Sequence, residues 1–322
     1  MIKDYLAQIE SEIKKQKFGR QPVSLYEPIR YIMGLGGKRL RPVLTLLGYS
    51  LYKNDTKKIV SLAVAVEAFH NFTLMHDDIM DNAPLRRGKP TVHEKWNVNT
   101  AIISGDVMLA KVYDQFLSIE TDKIKDALKT FNLCVEEVCE GQQWDMEFET
   151  RSKVSEAQYI SMIRQKTAVL LGFSLEFGAL LADAPEAERA SLREFGINIG
   201  IGFQLKDDLL DVYADKKTFG KQIGGDIIAN KKTFLLIKAL AKARGKEKQQ
   251  LEKWLVTKKF DKHKKVKEVK KIYDHLNLAD DTQRKIDSYF KKGFASLEKC
   301  NADPFKKNEL KAFAQNLITR VS

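Results

Sequence analysis

His70-Asn71-Phe72-Thr73-Leu74-Met75-His76-Asp77-Asp78-Ile79-Met80-Asp81 closes a long apolar, helix-periodic stretch with an Asp-Asp-x-x-Asp cluster. A second stretch, Gly202-Phe203-Gln204-Leu205-Lys206-Asp207-Asp208-Leu209-Leu210-Asp211, ends on the same pattern. Positions i and i+4 of a helix share a face, so Asp77 pairs with Asp81 and Asp207 with Asp211, while Asp78 and Asp208 lie at the edge of each face. Acids buried in such stretches are costly unless cations neutralise them. Hard oxygen ligands at this density suit Mg²⁺, which keeps several waters and shares its shell with phosphate oxygens. In a chain with 30% charged residues, one such cluster is an ordinary acidic turn. Two, each on a helix of mostly apolar neighbours, point to paired metal-carrying walls around a polyanion.

Around these clusters the pattern is helical throughout. Tyr5, Leu6, Ile9 and Ile13 share one face of a helix over residues 1–18, and a second helix begins near Leu25 and stops at Gly34-Leu35-Gly36-Gly37. The period continues at 42–52, 58–82, 99–119, 122–147, 155–182, 186–213, 230–243, 246–257, 263–276, 279–299 and 305–320. The segment 82–92, with Pro84, Gly88 and Pro90, reads as a loop. No alternating strand and no βαβ rhythm appears. The predicted fold is all-α, a helical bundle around a central cavity. With 43% apolar residues, 18 glycines, 7 prolines and no linker composition, residues 1–322 read as a single domain.

No stretch approaches 18 uninterrupted apolar residues, which predicts no membrane span. The N-terminus carries acids early and lacks the apolar core of a secretory signal. Cys134, Cys139 and Cys300 form no CxxC and leave one thiol over in any pairing, as expected of a reduced cytoplasmic protein. The formal charge of +12 is concentrated in Lys258, Lys259, Lys262, Lys264, Lys265, Lys267, Lys270 and Lys271. A solvated helix face accounts for this run; a site for anionic lipid or nucleic acid is the competing reading. Few aromatics interleave with the lysines, which argues against nucleic acid.

A metal-bound polyanion also needs direct cationic donors, and loops supply them. Gly36-Gly37-Lys38-Arg39-Leu40-Arg41-Pro42 places three cations after a helix stop, Arg86-Arg87-Gly88 follows the first acid cluster, and Lys221 and Lys231 follow the second. Guanidinium forks fit phosphate oxygens, and lysine adds point charge. Each cation alone is an ordinary surface residue; together with the acids they describe room for two phosphate-bearing substrates. His70 lies two turns before Asp77 on the same helical face, which sets a functional reading beside the structural one usual for a lone histidine.

These motifs, in this order, resemble the trans-isoprenyl diphosphate synthases of the polyprenyl synthetase family, short-chain farnesyl/geranylgeranyl type. The matching elements are Gly37–Pro42, His70–Asp81 with Arg86-Arg87-Gly88, Gln165-Lys166-Thr167, and Gly202–Asp211, within a similarity spanning residues 34–240. The resemblance implies that Lys38, Arg41, His70 and Arg87 hold isopentenyl diphosphate, and that Arg86, Lys166, Lys221 and Lys231 contact an allylic diphosphate. It makes Asp77, Asp81 and Asp207 the main Mg²⁺ ligands, with Asp78, Asp208 and Asp211 assisting, and three ions per site with substrate bound. Lys166, Thr167 and Gln204 would line the reacting centre, with Gln142 and Asp145 behind them. It also implies a homodimer.

The chain departs from the family in lacking a proline after Lys231-Lys232-Thr233, and its first acid motif carries no two-residue insertion. By resemblance, residues one turn before the first aspartates line the floor of the hydrocarbon pocket, here Phe72 and Thr73. An ideal helix sets Thr73 about 40° from Asp77 and Phe72 about 140° away, so geometry alone favours Thr73 as the nearer residue. A bulky Phe72 beside a smaller Thr73 resembles the C20 type, with C15 next. Two other readings compete: a class I terpene cyclase, which shares the fold and the first acid motif but normally carries an Asn/Ser/Glu second motif, and a non-catalytic basic helical scaffold, which leaves both acid clusters unexplained.

Overall fold

The structure, a computed structural model, describes residues 1–214 and 224–319. Its elements are helices α1 (Ile2–Lys15), α2 (Val23–Gly34), α3 (Leu40–Ser50), α4 (Val60–Met80), α5 (Val92–Lys95), α6 (Val98–Phe116), α7 (Thr121–Thr150), α8 (Glu156–Ile163), α9 (Val169–Leu181), α10 (Glu186–Tyr213), α11 (Gly225–Ile228), α12 (Phe234–Lys242), α13 (Gly245–Val256), α14 (Lys262–His275), α15 (Leu278–Glu298) and α16 (Pro304–Thr319). The all-α expectation holds, with one small exception. Leu85–Arg86 and Lys89–Pro90 pair antiparallel, Leu85 opposite Pro90 and Arg86 opposite Lys89. Arg87 and Gly88 form the turn with φ of 53° and 73°, the double left-handed geometry of a tight hairpin. Strands of two residues are too short to alternate, so this ribbon leaves no periodic signal.

Contacts along the chain divide it into two compact units, interleaved in sequence: residues 1–133, 173–193 and 301–306 in one, 134–172, 194–300 and 307–322 in the other.

In the first unit α4 is the core element. Val60, Leu62–Phe69 and Met75 are buried, so its apolar character extends around the helix rather than along one stripe. It is long and apolar enough to cross a membrane by composition, yet it packs against α1, α2, α3 and α6. A mostly buried core helix explains that composition. Aromatic rings fill the space beside it: Phe131 lies 5.1 Å from Phe69, 4.9 Å from Phe116 and 5.6 Å from Phe173, mostly edge to face. Helix α3 crosses the Phe173–Leu181 part of α9 backbone to backbone. A Cβ on Gly178 would stand 2.0 Å from the Thr45 carbonyl oxygen, and one on Gly48 would stand 2.4 Å from that of Leu175.

In the second unit the continuous helix expected over 155–182 is interrupted. α8 starts with a capping box, Ser155 Oγ accepting from the Gln158 amide at 3.2 Å and Gln158 Oε1 from the Ser155 amide at 2.9 Å. It then passes into a π turn at Arg164–Ala168. The cause lies across the packing: the Lys166 amide nitrogen stands 2.1 Å from where a Cβ on Gly141 would be. Two helices this close fix the position of Lys166, and the π turn accommodates the extra residue. α14 presents Lys265, Val269, Ile272 and Tyr273 inward, while Lys258, Lys259, Lys262, Lys264, Lys267 and Lys271 are exposed, so most of the lysine run is a solvated face.

The α3–α9 crossing has a direct consequence. Gly178→Ala lowers stability by about 1–3 kcal/mol through overpacking, read from the urea midpoint; an unchanged midpoint would mean the helices separate at no cost.

Candidate active site

Both acid clusters stand in the last turns of their helices. Asp81 closes α4, its amide donating to the Asp77 carbonyl at 2.9 Å, and Asp207–Asp211 precede the end of α10 at Tyr213. A helix C-terminus carries partial negative charge, so carboxylates there are unfavourable until cations answer them. The first cluster belongs to the first unit and the second cluster to the second.

In the first unit, Asp78 is only 2% exposed and is gripped by Arg86, whose Nε donates to Oδ1 and Oδ2 at 2.9 and 2.8 Å and whose Nη2 donates to Oδ1 at 2.6 Å. Arg86 Nη2 also lies 3.9 Å from Asp77 Oδ2. The fork and its carboxylate are thus partners, and the hairpin brings Arg86 back to α4. Of the three cations at the start of α3, Arg39 turns inward. It is 2% exposed, donates to Glu10 at 2.7 Å, Glu67 at 2.9 Å and the Met33 carbonyl at 2.8 Å, and is structural. Lys38 is exposed and Arg41 half-buried.

Arg41 Nη1 lies 3.0 Å from His70 Nε2. Since guanidinium only donates, Nε2 is the acceptor and the imidazole proton resides on Nδ1. Burial, then the charges of Arg41 and Arg87, push the His70 pKa well below its ordinary value. Arg87 donates to the Gly36 carbonyl, which ties the hairpin to the glycine loop. The structure therefore gathers Arg41, His70 and Arg87 into one electropositive cluster with a neutral histidine. Phe72 packs edge-on against His76 with centroids 4.8 Å apart and meets Phe69 at 5.9 Å, while the Thr73 hydroxyl donates to the His70 carbonyl at 2.8 Å.

In the second unit, Asp208 is 4% exposed. It accepts from the Tyr159 hydroxyl and, at 3.2 Å, from Gln204 Nε2. That second bond orients the Gln204 amide so that Oε1 faces the Thr167 hydroxyl at 3.5 Å. Burial and the charge of Asp226 raise the Asp208 pKa to about 7, against the opposing pull of Tyr159, Lys231 and Gln204. The Asp226 amide donates to Asp211 Oδ2 at 3.1 Å. Lys166 Nζ pairs with Asp145 at 2.6 Å, so Asp145 stands behind Lys166. Lys231 is exposed, and Lys221 lies outside the described residues.

Tyr159 and Asp226 join the site without having been expected there. Tyr159 is remote in sequence from Asp208 and reads as an ordinary inward aromatic. Asp226 follows Gly224-Gly225, a turn signal that marks a loop but not a ligand.

Among the described residues no three His, Cys, Asp or Glu side chains converge closely enough to cage a metal ion. Mg²⁺ takes one or two carboxylates and completes its shell with water and phosphate oxygens. The donors are all oxygen, and burial together with the charge of Asp226 makes Asp208 resist ionisation, a state that a hard cation relieves.

The chain matches the family model described as polyprenyl synthetase over residues 22–275. The chain belongs to the polyprenyl synthetase family. Among its relatives, the short chain isoprenyl diphosphate synthase of Methanocaldococcus jannaschii is 43% identical over 74% of this chain and 72% of the relative. The geranylgeranyl pyrophosphate synthase of Geoglobus acetivorans is 36% identical over 99% of this chain and 98% of its own. A crystal structure of a geranylgeranyl pyrophosphate synthase superposes with a TM-score of 0.95 at 42% identity, covering 100% of this chain and 99% of that one.

His70 offers a pH test. Its folded pKa is lowered, so below its unfolded value of about 6.5 the unfolded chain binds the extra proton and stability falls as pH drops through that region. Histidine ¹⁵N NMR should find His70 neutral with the proton on Nδ1 at pH 6; a midpoint at or above 6.5 would contradict the Arg41 contact.

Proposed function

We propose that this synthetase condenses isopentenyl diphosphate head to tail with an allylic diphosphate (dimethylallyl, geranyl or farnesyl), forming an all-trans C20 diphosphate and releasing pyrophosphate. The observation that carries this reading is the chemistry of the two sets of residues. The first unit combines a carboxylate cluster with Arg41, neutral His70 and Arg87. The second combines a carboxylate cluster with Lys166, Thr167 and Gln204, and the reaction needs no histidine or serine nucleophile.

In this reading Lys38, Arg41, His70 and Arg87 bind isopentenyl diphosphate. His70, held neutral among arginines, adds a hydrogen bond without adding repulsion. Arg86, Lys166, Lys221 and Lys231 bind the allylic diphosphate, and cationic donors placed where charge builds on the departing pyrophosphate lower the barrier most. Asp77, Asp81 and Asp207 would hold Mg²⁺, with Asp78, Asp208 and Asp211 supporting, three ions per site with substrate present; bound there, the ions neutralise phosphate charge. The allylic C–O bond breaks, the double bond of isopentenyl diphosphate forms the new C–C bond, and the departing pyrophosphate takes the proton that is lost. Gln204 Oε1, aimed by the Asp208 bond, and the Thr167 hydroxyl offer neutral oxygens to the allylic cation, stabilising it without trapping it.

C20 is favoured over C15 by Phe72, whose ring sits at the edge of the Phe69–Phe131 aromatic cluster below the first acid motif. We treat residues 1–322 as one catalytic domain acting as a homodimer. Val98, Ile102 and Ile103 support the dimer, exposing 44%, 41% and 54% of their surface on one side of α6. The free thiols of Cys134, Cys139 and Cys300 support a cytoplasmic setting.

Incubation with Mg²⁺, labelled isopentenyl diphosphate and an allylic primer should yield a C20 diphosphate by mass spectrometry. Pyrophosphate release without a longer chain would instead indicate a cyclase, and no release a scaffold. Asp77→Ala should reduce turnover by at least about 100-fold, the scale of losing a metal-site interaction, and an active variant would remove Asp77 as a ligand. Phe72→Ala should lengthen the product; an unchanged length would end its role as the floor.

A further inference from the structure

One member of the lysine run behaves unlike the rest. Lys265 is 1% exposed and occupies an inward position of α14, in register with Val269, Ile272 and Tyr273, where the helical period reserves space for an apolar side chain. An ammonium is costly to bury there. Among the described residues it has no carboxylate in ion-pair range. Its Nζ donates to Asn230 Oδ1 at 2.6 Å and to the Ile228 carbonyl at 3.3 Å, and sits 4.3 Å over the Phe260 ring. Two oxygens and a ring face thus surround the ammonium.

Both oxygens belong to one turn, residues 224–231. The turn begins where the Gly224 amide donates to the Asp211 carbonyl at 2.7 Å, and continues through the Asp226 amide on Asp211 Oδ2. It ends with the Lys231 amide on the Asp226 carbonyl at 2.9 Å. Asn230 is left-handed at φ 56°, and its Nδ2 donates to the Leu255 carbonyl at 3.1 Å. Helix α14 holds this turn at two points. Val266 packs so closely on Gly224 that a Cβ there would lie 2.7 Å from its methyls, and Lys265 ties the Ile228–Asn230 end.

We propose that Lys265 is a positioning residue. It fixes the turn that carries Asp226 and Lys231 onto the second acid cluster, and so sets the grip on the allylic diphosphate without touching it. The inference rests on the prenyl-transfer reading above. It also gives a reason for a buried cation with neutral partners: only a long, straight donor reaches both the carbonyl and the amide from the far side of the turn.

Lys265→Met keeps the side-chain length and removes the donors. It should raise the KM for the allylic diphosphate about tenfold, the scale of losing a supporting hydrogen bond behind a binding residue, with the KM for isopentenyl diphosphate unmoved. Hydrogen exchange at amides 224–231 should accelerate in the substrate-free protein while α15 stays protected. Asn230→Gly, which accepts the left-handed backbone and removes the acceptor, should reproduce both effects, and the double variant should be no worse than the worse single. Unchanged exchange and KM in Lys265→Met, or an equal rise in both KM values, would overturn the proposal. If Lys265→Met does not fold, Asn230→Gly decides on the same two measurements. A wild-type protein that makes no longer chain would defeat the prenyl-transfer reading alone; the exchange comparison would still decide whether Lys265 tethers the turn.

Discussion

Carboxylates at the negative ends of two apolar helices are the constraint that the rest of the site answers. The protein answers part of it internally. Asp78 is taken by the Arg86 fork, Asp208 by Tyr159 and Gln204, and Asp211 receives the Asp226 amide. These contacts orient each cluster, yet they do not offset the burial of Asp208 and the charge of Asp226, and Asp208 resists ionisation. An electrostatic deficit of this kind is what allows a site to prefer cations and phosphate over water.

Cations are sorted by the same logic. Arg39 and Arg41 are two residues apart, but Arg39 is buried against Glu10 and Glu67 while Arg41 meets His70. Helical geometry separates them: Arg39, left-handed at φ 48°, caps α3 and points back to α4, and Arg41 lies in its first turn. Truncating Arg39 would leave Glu67 buried without its charge partner, a strongly destabilising change for a residue distant from any chemistry. Of the six left-handed non-glycine residues among the described residues, Arg39, Arg87 and Asn230 lie beside or within the set assigned to substrate, while Asp183 and Asn277 do not. Conformations that L residues rarely adopt persist where surrounding contacts determine them, and at those three the contacts are the ones that shape the site.

Much of this was legible in the sequence because the aspartates interrupt an otherwise regular apolar period. The all-α class came from spacing, and the grouping of Arg41 with His70 from the resemblance to the family. The illegible part depends on contacts distant in sequence. The break at Arg164–Ala168 comes from Gly141, and Tyr159 acquires its partner only when α8 packs on α10. The Leu85–Pro90 ribbon was too short to show a period. Lys265 was hidden differently: composition placed it with the surface lysines, and only its register with Val269 and Ile272 marks it as buried.

The π turn has a consequence for how this chain can change. It holds one residue more than an α-helix would over Arg164–Ala168. Losing a single residue there would let the segment relax into regular helix and rotate α8 by about 100° relative to α9. Tyr159 would leave Asp208, though no contacting side chain had been altered. None of Arg164–Ala168 is exposed, and Lys166 and Thr167 are assigned to the reacting centre, so the segment is bound in its length as well as in its side chains.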